Sequence, residues 1–252
     1  MANVKVDDMQ AQHEAWAADH ERVAPGSGDT PTVTPAVGLV AVVQGDGLRA
    51  AFRDLGATAI VDGGATNNPS AGELLEASRR AGTEHAFVLP NDSNVVLTAR
   101  LAAEQDPGRI TAIAARSVVA GLAAAIAFVP DDDLAGLASR LTEAAAAVRS
   151  IEVTRAVRET TVDGVAVRVG DAIVLVDGRL LAAVATPEEA LLAGLAHAVD
   201  GDSELVSVYL GADAPADATA QLPARIAGAH PGVAVEVVMG GQPHYPYLAG
   251  VE

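Results

Sequence analysis

The first stretch of the sequence that could bind a small anion is the polar segment from Asp62 to Ser70. Its two glycines, Gly63 and Gly64, permit close backbone approach or positive φ angles. Four neutral side chains in this segment can form hydrogen bonds: Thr66, Asn67, Asn68 and Ser70. Such groups beside the positive end of a helix suit a carboxylate or a phosphate. The same residues would also make an ordinary strand-to-helix loop with a good helix cap, and the sequence leaves both interpretations open.

A second polar segment, Leu89 to Asn94, has the same placement between an apolar run and a predicted helix. Its hydrogen-bonding residues are Asn91, Ser93 and Asn94. In parallel α/β sheets, ligands bind beyond the carboxyl ends of the strands, so we expect the two segments, on adjacent strands, to face one crevice. The alternative is helix capping with local Asx turns.

The third candidate is the segment from Gly240 to Tyr247, in which Gln242, His244, Tyr245 and Tyr247 lie around two prolines. Aromatic residues are enriched in protein interfaces, and a rigid amphipathic segment of this kind could form a partner surface. The alternative is a last strand that packs back onto the sheet, with the tyrosines in the core.

Signatures of catalysis and of metal binding are not found in the sequence. It contains no Gly-x-Ser-x-Gly elbow and no phosphate-binding Gly-Lys-Ser/Thr loop, and Gly45-Asp46-Gly47 lacks the third glycine of a dinucleotide fingerprint. His13 and His20 are two helical turns apart without converging ligands, which favours solvated histidines over a metal site. We therefore predict no catalytic residue, no metal site and no cofactor in this chain.

The elements that must position these loops follow from the hydrophobic pattern. From Val37 onward, apolar runs alternate with helical patterns, which predicts βαβ units and a mainly parallel sheet. The predicted strands are Gly38–Val43, Ala57–Val61, His85–Leu89 and Ile110–Ala114. Ser70 and Glu73 form a capping-box pattern at the start of one helix, and Asp131 is the predicted cap of another that runs to about Val148.

After Ser150 the pattern changes to short β-rich runs, which predicts a mixed α/β part that begins with an antiparallel meander. The runs are Ile151–Glu159, Val165–Val169, Ala172–Val176 and Leu180–Ala185. Asp163-Gly164 and Asp177-Gly178 are hairpin signals because type I′ turns need positive φ angles. Helices over 187–199 and 214–229 and strands over 204–210 and 233–239 follow, before a last short strand.

We predict four parts along the chain: a helix in residues 1–23, a linker over 24–36, a parallel α/β subdomain over 37–148 and a mixed α/β subdomain over 149–252. The linker prediction rests on its Gly, Ser and Pro content, which does not support a packed element. Trp16 is the one large apolar residue of the first helix.

Composition limits the range of partners. The 252 residues carry a net charge of −17, with 16 scattered Lys and Arg, which argues against nucleic acid and anionic membrane surfaces as partners. The charge is either a solvated acidic surface or a match for a basic partner. The chain has no cysteine, so no disulfide holds it together. Its longest apolar run, Gly121–Val129, is too short to span a bilayer, and we expect a cytoplasmic protein.

Several of these segments together resemble one known family. They are Gly63–Ser70, Leu89–Val95, Gly240–Tyr247, Arg158–Gly164 and Asn3–His13. In this order they are similar to the end of the middle domain and the DegV-like C-terminal domain of the dihydroxyacetone-kinase-related catalytic subunit of bacterial fatty acid kinase. The sequence departs from the family at Ala65, where Gln is usual, and at Asn67, where Met is usual.

The resemblance implies a DegV-like fold and a role in lipid metabolism. In the family, an N-terminal domain holds ATP and magnesium and phosphorylates a fatty acid that a separate DegV-like carrier presents, for phospholipid synthesis. This chain is expected to lack that domain, to dock the carrier, and to form a homodimer, if at all, through the middle domain. DegV-like carriers hold the fatty-acid carboxylate at the place of Thr66 to Ser70. The alternatives are therefore a ligand- or fatty-acid-binding module of its own at that loop, or an independent enzyme.

Overall fold

The structure is a computed structural model that describes residues 36–64, 68–130, 133–162 and 164–252. The helix predicted in residues 1–23, with Trp16, His13 and His20, lies outside the described residues, as does all of the predicted linker except Ala36. Of the candidate site residues, Thr66 and Asn67 also lie outside them. The described residues belong to one compact unit that contains two larger sheets and a short hairpin.

The first sheet is parallel throughout, as predicted, with strand order β2-β1-β3-β4. Its strands are β1 (Val37–Val42), β2 (Ala57–Val61), β3 (His85–Leu89) and β4 (Ile110–Ala112). Every residue of β1 and β3 is buried because helices cover both faces of the sheet, which explains the unbroken apolar runs. Phe52 and Phe87 fill the core on one face, and Leu74 with Val88 that on the other.

Five helices connect and follow these strands: α1 (Asp46–Asp54), α2 (Ala71–Arg80), α3 (Val95–Gln105), α4 (Val118–Ile126) and α5 (Leu134–Ala147). The capping box of α2 is confirmed, because the Ser70 hydroxyl accepts from the Glu73 N–H while the Glu73 carboxylate accepts from the Ser70 N–H. The predicted cap of α5 was wrong. Asp133 caps it by accepting from the Gly136 N–H at 3.0 Å, and Asp131 lies outside the described residues.

The second sheet is mixed, with strand order β11-β10-β12-β5-β8-β9. Its strands are β5 (Arg149–Arg155), β8 (Ala172–Val176), β9 (Arg179–Val184), β10 (Leu205–Leu210), β11 (Ala234–Met239) and β12 (Tyr247–Val251). Only β10 and β11 pair in parallel. Helices α6 (Pro187–Ala198) and α7 (Ala218–Ala229) pack on this sheet. The predicted α/β fold, parallel first and mixed second, is confirmed.

The predicted meander forms with one break. Asp177 and Gly178 have φ angles of 50° and 77°, as a type I′ turn between β8 and β9 requires. The predicted run Ile151–Glu159 forms a strand only as far as Arg155, in β5, and residues 156–159 are not in a strand. A separate hairpin follows, made of β6 (Thr160–Val162) and β7 (Val165–Val167), and β7 corresponds to the start of the predicted run Val165–Val169. Ala156 is the last residue of this stretch that pairs toward β8: its N–H donates to the Asp171 carbonyl, and its carbonyl accepts from the Gly170 N–H in the turn before β8.

The two sheets are joined by α4, which packs on β5 and β12, and by a backbone contact between the start of α1 and the segment after β11. The Leu48 N–H donates to the Gly240 carbonyl at 3.0 Å. A methyl group on Gly47 would lie 1.8 Å from the carbonyl oxygen of Met239. Gly45 has a φ of 94°, and a methyl group there would lie 2.5 Å from the Gly240 carbonyl oxygen. The Gly-Asp-Gly sequence thus serves close backbone packing.

This contact predicts a large stability loss for Gly47→Ala. The new methyl group would collide with backbone, which has little freedom to move, so we expect the free energy of unfolding to fall by about 2 kcal/mol or more in urea titrations. Gly72→Ala is the matched control, because a methyl group there lies 3.9 Å from its nearest neighbour and Ala favours the helix. Equal midpoints for the two variants would contradict the role given to Gly47.

Candidate functional site

A polar crevice of about 320 Å³ lies at the carboxyl end of the first sheet, where that sheet meets β5. Gln44 follows β1, Asp92 and Asn94 follow β3, and Glu152 and Thr154 project from β5. The segment 242–245 forms the remaining wall. The crevice therefore gathers two of the three candidate segments, and adds the polar residues Gln44, Glu152 and Thr154, which the sequence reasoning did not select.

The described residues of the loop after β2, 62–64 and 68–70, are not among those that line this crevice. The expectation that the two polar loops follow adjacent strands was wrong, because β1 lies between β2 and β3. Gln44 bridges the gap by donating from Nε2 to Asp62 Oδ1 at 3.2 Å and to the Gly64 carbonyl. Arg49 forms an ion pair with Asp62 and so holds the same loop against α1.

Asn91 supports the crevice from below. It is 3% exposed, has a φ of 57°, and donates from Nδ2 to the Val42 carbonyl at 3.0 Å. Its Oδ1 lies against Gly121 so closely that a methyl group there would be 1.8 Å away. Asn tolerates the left-handed conformation better than most residues. Asn91 therefore joins β3, β1 and α4, and its amide is directed into the protein.

Gln242 has an equivalent role in the closing segment. Its Nε2 donates to the Tyr209 carbonyl at 2.9 Å and to the Tyr245 carbonyl at 3.2 Å. Tyr247 is 1% exposed and belongs to the core of the second sheet. Of the two interpretations left open for this segment, the core interpretation holds for Tyr247, because β12 inserts between β10 and β5.

The exposed candidates are the ones that can contact a ligand or partner. Asn94 and His244 are exposed at the rim of the crevice, Ser93 is exposed next to Asn94 in the chain, and His244 has a φ of 67°. Asn68 and Ser70 are also exposed, but the Asn68 N–H donates to the Gly63 carbonyl and Ser70 caps α2. Gly64 has a φ of 64°, which a glycine adopts without strain.

Glu152 is the carboxyl group of the crevice whose pKa is clearly raised. Burial, and then the neighbouring carboxylate of Asp92, raise its pKa to about 7. Burial and the same two carboxylates raise the pKa of Tyr245 to about 12. Glu152 alternates with Ile151 and Val153, which are buried in the second core, so the sequence alone places it on a solvent face. That face is covered because helix α4 packs against β5 and β12.

This raised pKa predicts a pH-dependent effect of Glu152→Gln. Between its normal value of 4.5 and about 7, the folded chain binds more protons than the unfolded chain, so the group lowers stability as pH rises through this window. We expect Glu152→Gln to be more stable than the unaltered chain by about 1–3 kcal/mol at pH 8, allowing for partial exposure. Urea unfolding from pH 4 to 8 measures this, and a pH-independent difference would contradict it.

The arrangement offers carboxyl, amide, hydroxyl and imidazole groups around a small space, which suits hydrogen bonding to a ligand or partner. Among the described residues, no three side chains of the His, Asp, Glu or Cys types converge as metal ligands. In the same residues, no helix is long and apolar enough to cross a membrane.

Comparison with known proteins identifies the family. Residues 38–252 match the family model of the FakA-like C-terminal domain of fatty acid kinase. The chain belongs to this family. It is 29% identical over its full length to protein YloV of Bacillus subtilis and 31% identical to an uncharacterized protein of Staphylococcus saprophyticus. These matches cover 45% and 46% of the two relatives, so the chain spans about half the length of the curated relatives it matches.

Solved structures show the same fold at low sequence identity. A DegV family protein from Corynebacterium glutamicum aligns with 86% of this chain and 96% of its own length, with a TM-score of 0.61 and 16% identity. A fatty-acid-binding DegV family protein from Thermus thermophilus aligns with 86% of this chain and 100% of its own length, with a TM-score of 0.58 and 18% identity. The DegV-like fold predicted from the sequence is thereby confirmed.

Proposed function

We propose that this chain is the C-terminal part of the catalytic subunit of a fatty acid kinase, and that it docks a DegV-like fatty-acid-binding carrier. An ATP-binding domain elsewhere in the whole protein would then phosphorylate the acyl carboxylate. The family match over residues 38–252 carries the proposal. The relatives' greater length is consistent with a protein in which this chain is one part.

The rim of the crevice is the surface that fits docking best. Asn94 and His244 are exposed there. Ser93 and Leu97, which are close to Asn94 in the chain, are also exposed, and Leu97, in the first turn of α3, is 66% exposed. Polar groups around an exposed apolar side chain are typical of protein interfaces. Asn91, Gln242 and Tyr247 act indirectly in this proposal, because they hold the rim in place.

We expect Asn94→Arg to weaken carrier binding at least tenfold, or about 1.4 kcal/mol. Asn94 is exposed and its side chain does not cap α3, so the larger charged residue changes the rim without removing a hydrogen bond that holds the fold. The measurement is calorimetry with a fatty-acid-loaded DegV-like carrier from the same organism.

Gln221→Arg is the control for this experiment, because Gln221 is exposed on α7, which packs on the second sheet. Both variants are first checked for an unchanged melting temperature. No binding by the unaltered chain would reject docking. Equal binding by both variants would place the contact elsewhere on the chain.

A second expectation concerns catalysis. We expect no acyl phosphate from this chain when it is mixed with ATP, magnesium and loaded carrier. Phosphoryl transfer needs bound metal, donors around the phosphates and a positioned nucleophile, and the candidate loops supply uncharged donors. Mass spectrometry of the hydroxamate trapped from any acyl phosphate tests this. Product above a carrier-only control would show that the chain is itself a kinase.

A further inference from the structure

A second cavity, different in character from the polar crevice, lies on the second sheet beside the β6–β7 hairpin. It has a volume of about 920 Å³, within the range of small-molecule sites. Ile173, Leu175 and Leu180 line it from the sheet, and Val162 and Val167 from the hairpin. We call this cavity the hairpin groove. Among the described residues that line it, none is Phe, Tyr or Trp.

The apolar side chains of the hairpin groove lie on the face of the sheet that α6 does not cover. Along β8, Ala172, Val174 and Val176 are buried in the second core with α6, while the alternate residues Ile173 and Leu175 stay partly exposed. β8 lies next to the edge of the sheet. Exposing branched aliphatic side chains there to water costs free energy, unless an apolar group covers them. The hairpin covers them in part and leaves a groove.

Three arginines border the hairpin groove: Arg155, Arg158 and Arg179. Arg155 donates to the Gly170 carbonyl at 3.2 Å. Within the described residues, the guanidinium groups of Arg158 and Arg179 form no ion pair or hydrogen bond. Asp213 is the one carboxylate among the described lining residues, so the groove carries a local charge of about +2 in a chain with a net charge of −17.

This local charge is a property of one stretch of sequence. Residues 149–180 contain five arginines and five acidic residues and are therefore neutral, so the whole negative charge falls on the rest of the chain. An aliphatic floor selects a hydrocarbon chain, and guanidinium groups form paired hydrogen bonds with carboxylate or phosphate oxygens. A local charge of about +2 is balanced by a dianion better than by a monoanion.

We propose that the hairpin groove binds a linear aliphatic chain with a phosphate head group. The chain would lie on Ile173, Leu175 and Leu180 under the hairpin, and the phosphate would contact Arg158 and Arg179. An acyl phosphate and a phosphorylated lipid head group share this chemistry. The proposal stands on the geometry of the groove and does not depend on carrier docking.

The test is calorimetry of the 252-residue chain with dodecyl phosphate, kept below its micelle concentration at pH 8 and low salt. We expect saturable binding that is at least tenfold tighter than binding of dodecanoate, and tighter still than binding of inorganic phosphate or dodecyltrimethylammonium. Equal binding of dodecyl phosphate and inorganic phosphate, or of dodecyl phosphate and the cationic amphiphile, would overturn the proposal.

A second measurement, with vesicles that contain phosphatidic acid, distinguishes a bilayer head group from a soluble acyl phosphate. Binding to vesicles without binding of soluble dodecyl phosphate would also overturn the proposal.

Two variants locate the site. The double variant Arg158→Ala with Arg179→Ala should weaken dodecyl phosphate binding at least tenfold, and Ile173→Thr, which keeps a β-branched residue in the strand, should weaken it severalfold. The matched control is Arg53→Ala with Arg100→Ala, two exposed arginines on α1 and α3. Melting temperatures establish that each variant is folded. Unchanged binding in both groove variants would overturn the proposal.

The same variants separate this proposal from carrier docking. Loss of carrier binding in the arginine double variant, without any dodecyl phosphate binding by the unaltered chain, would show that the groove contacts protein and would overturn the ligand proposal. If the unaltered chain binds dodecyl phosphate but does not bind the carrier, the groove proposal is supported and the docking function is rejected.

Discussion

The backbone contact between the start of α1 and the segment after β11 is the constraint on which the rest of the structure depends. It brings the carboxyl end of a parallel sheet against a second, mixed sheet, and the crevice exists only because the two ends meet. The contact requires glycine at positions 45 and 47, where any side chain would overlap the opposing backbone. Asn91 and Gln242 then fix the loops on either side through hydrogen bonds to main-chain carbonyls.

The order of elements could be predicted because most of the signals are local. The unbroken apolar run of β1, the capping box at Ser70 and the turn at Asp177 each depend on a few neighbouring residues. The order of the strands within a sheet could not be predicted from such local signals. The two polar loops follow strands that are neighbours in sequence, but β1 lies between them, and nothing within either loop encodes that.

The site was predicted only in part for the same reason. Some of the polar residues selected in loops after strands line the crevice, such as Asn94 and His244. Asn91, Gln242 and Tyr247 hold the fold instead, because burial depends on what packs over a residue. Glu152 was missed since its alternation with Ile151 and Val153 is the normal pattern of a strand with one solvated face. The net charge of the chain also did not predict the local charge of the hairpin groove. The chain carries −17, but residues 149–180 are neutral and include the three arginines of the groove.

The position of β12 has a consequence for the order in which the chain can fold. β12 lies between β10 and β5, so these two strands have no direct pairing with each other, and the second sheet stays in two pieces until residues 247–251 are available. The first sheet is made of strands close together in sequence and can assemble from residues 37–112. During synthesis, Ile151 and Val153 of β5 and Val208 of β10 would therefore stay unpaired on one side until β12 is made. The ribosome-bound chain would pass through a stage in which one sheet is complete and the other presents open apolar edges, which is the stage most exposed to aggregation and to chaperone binding.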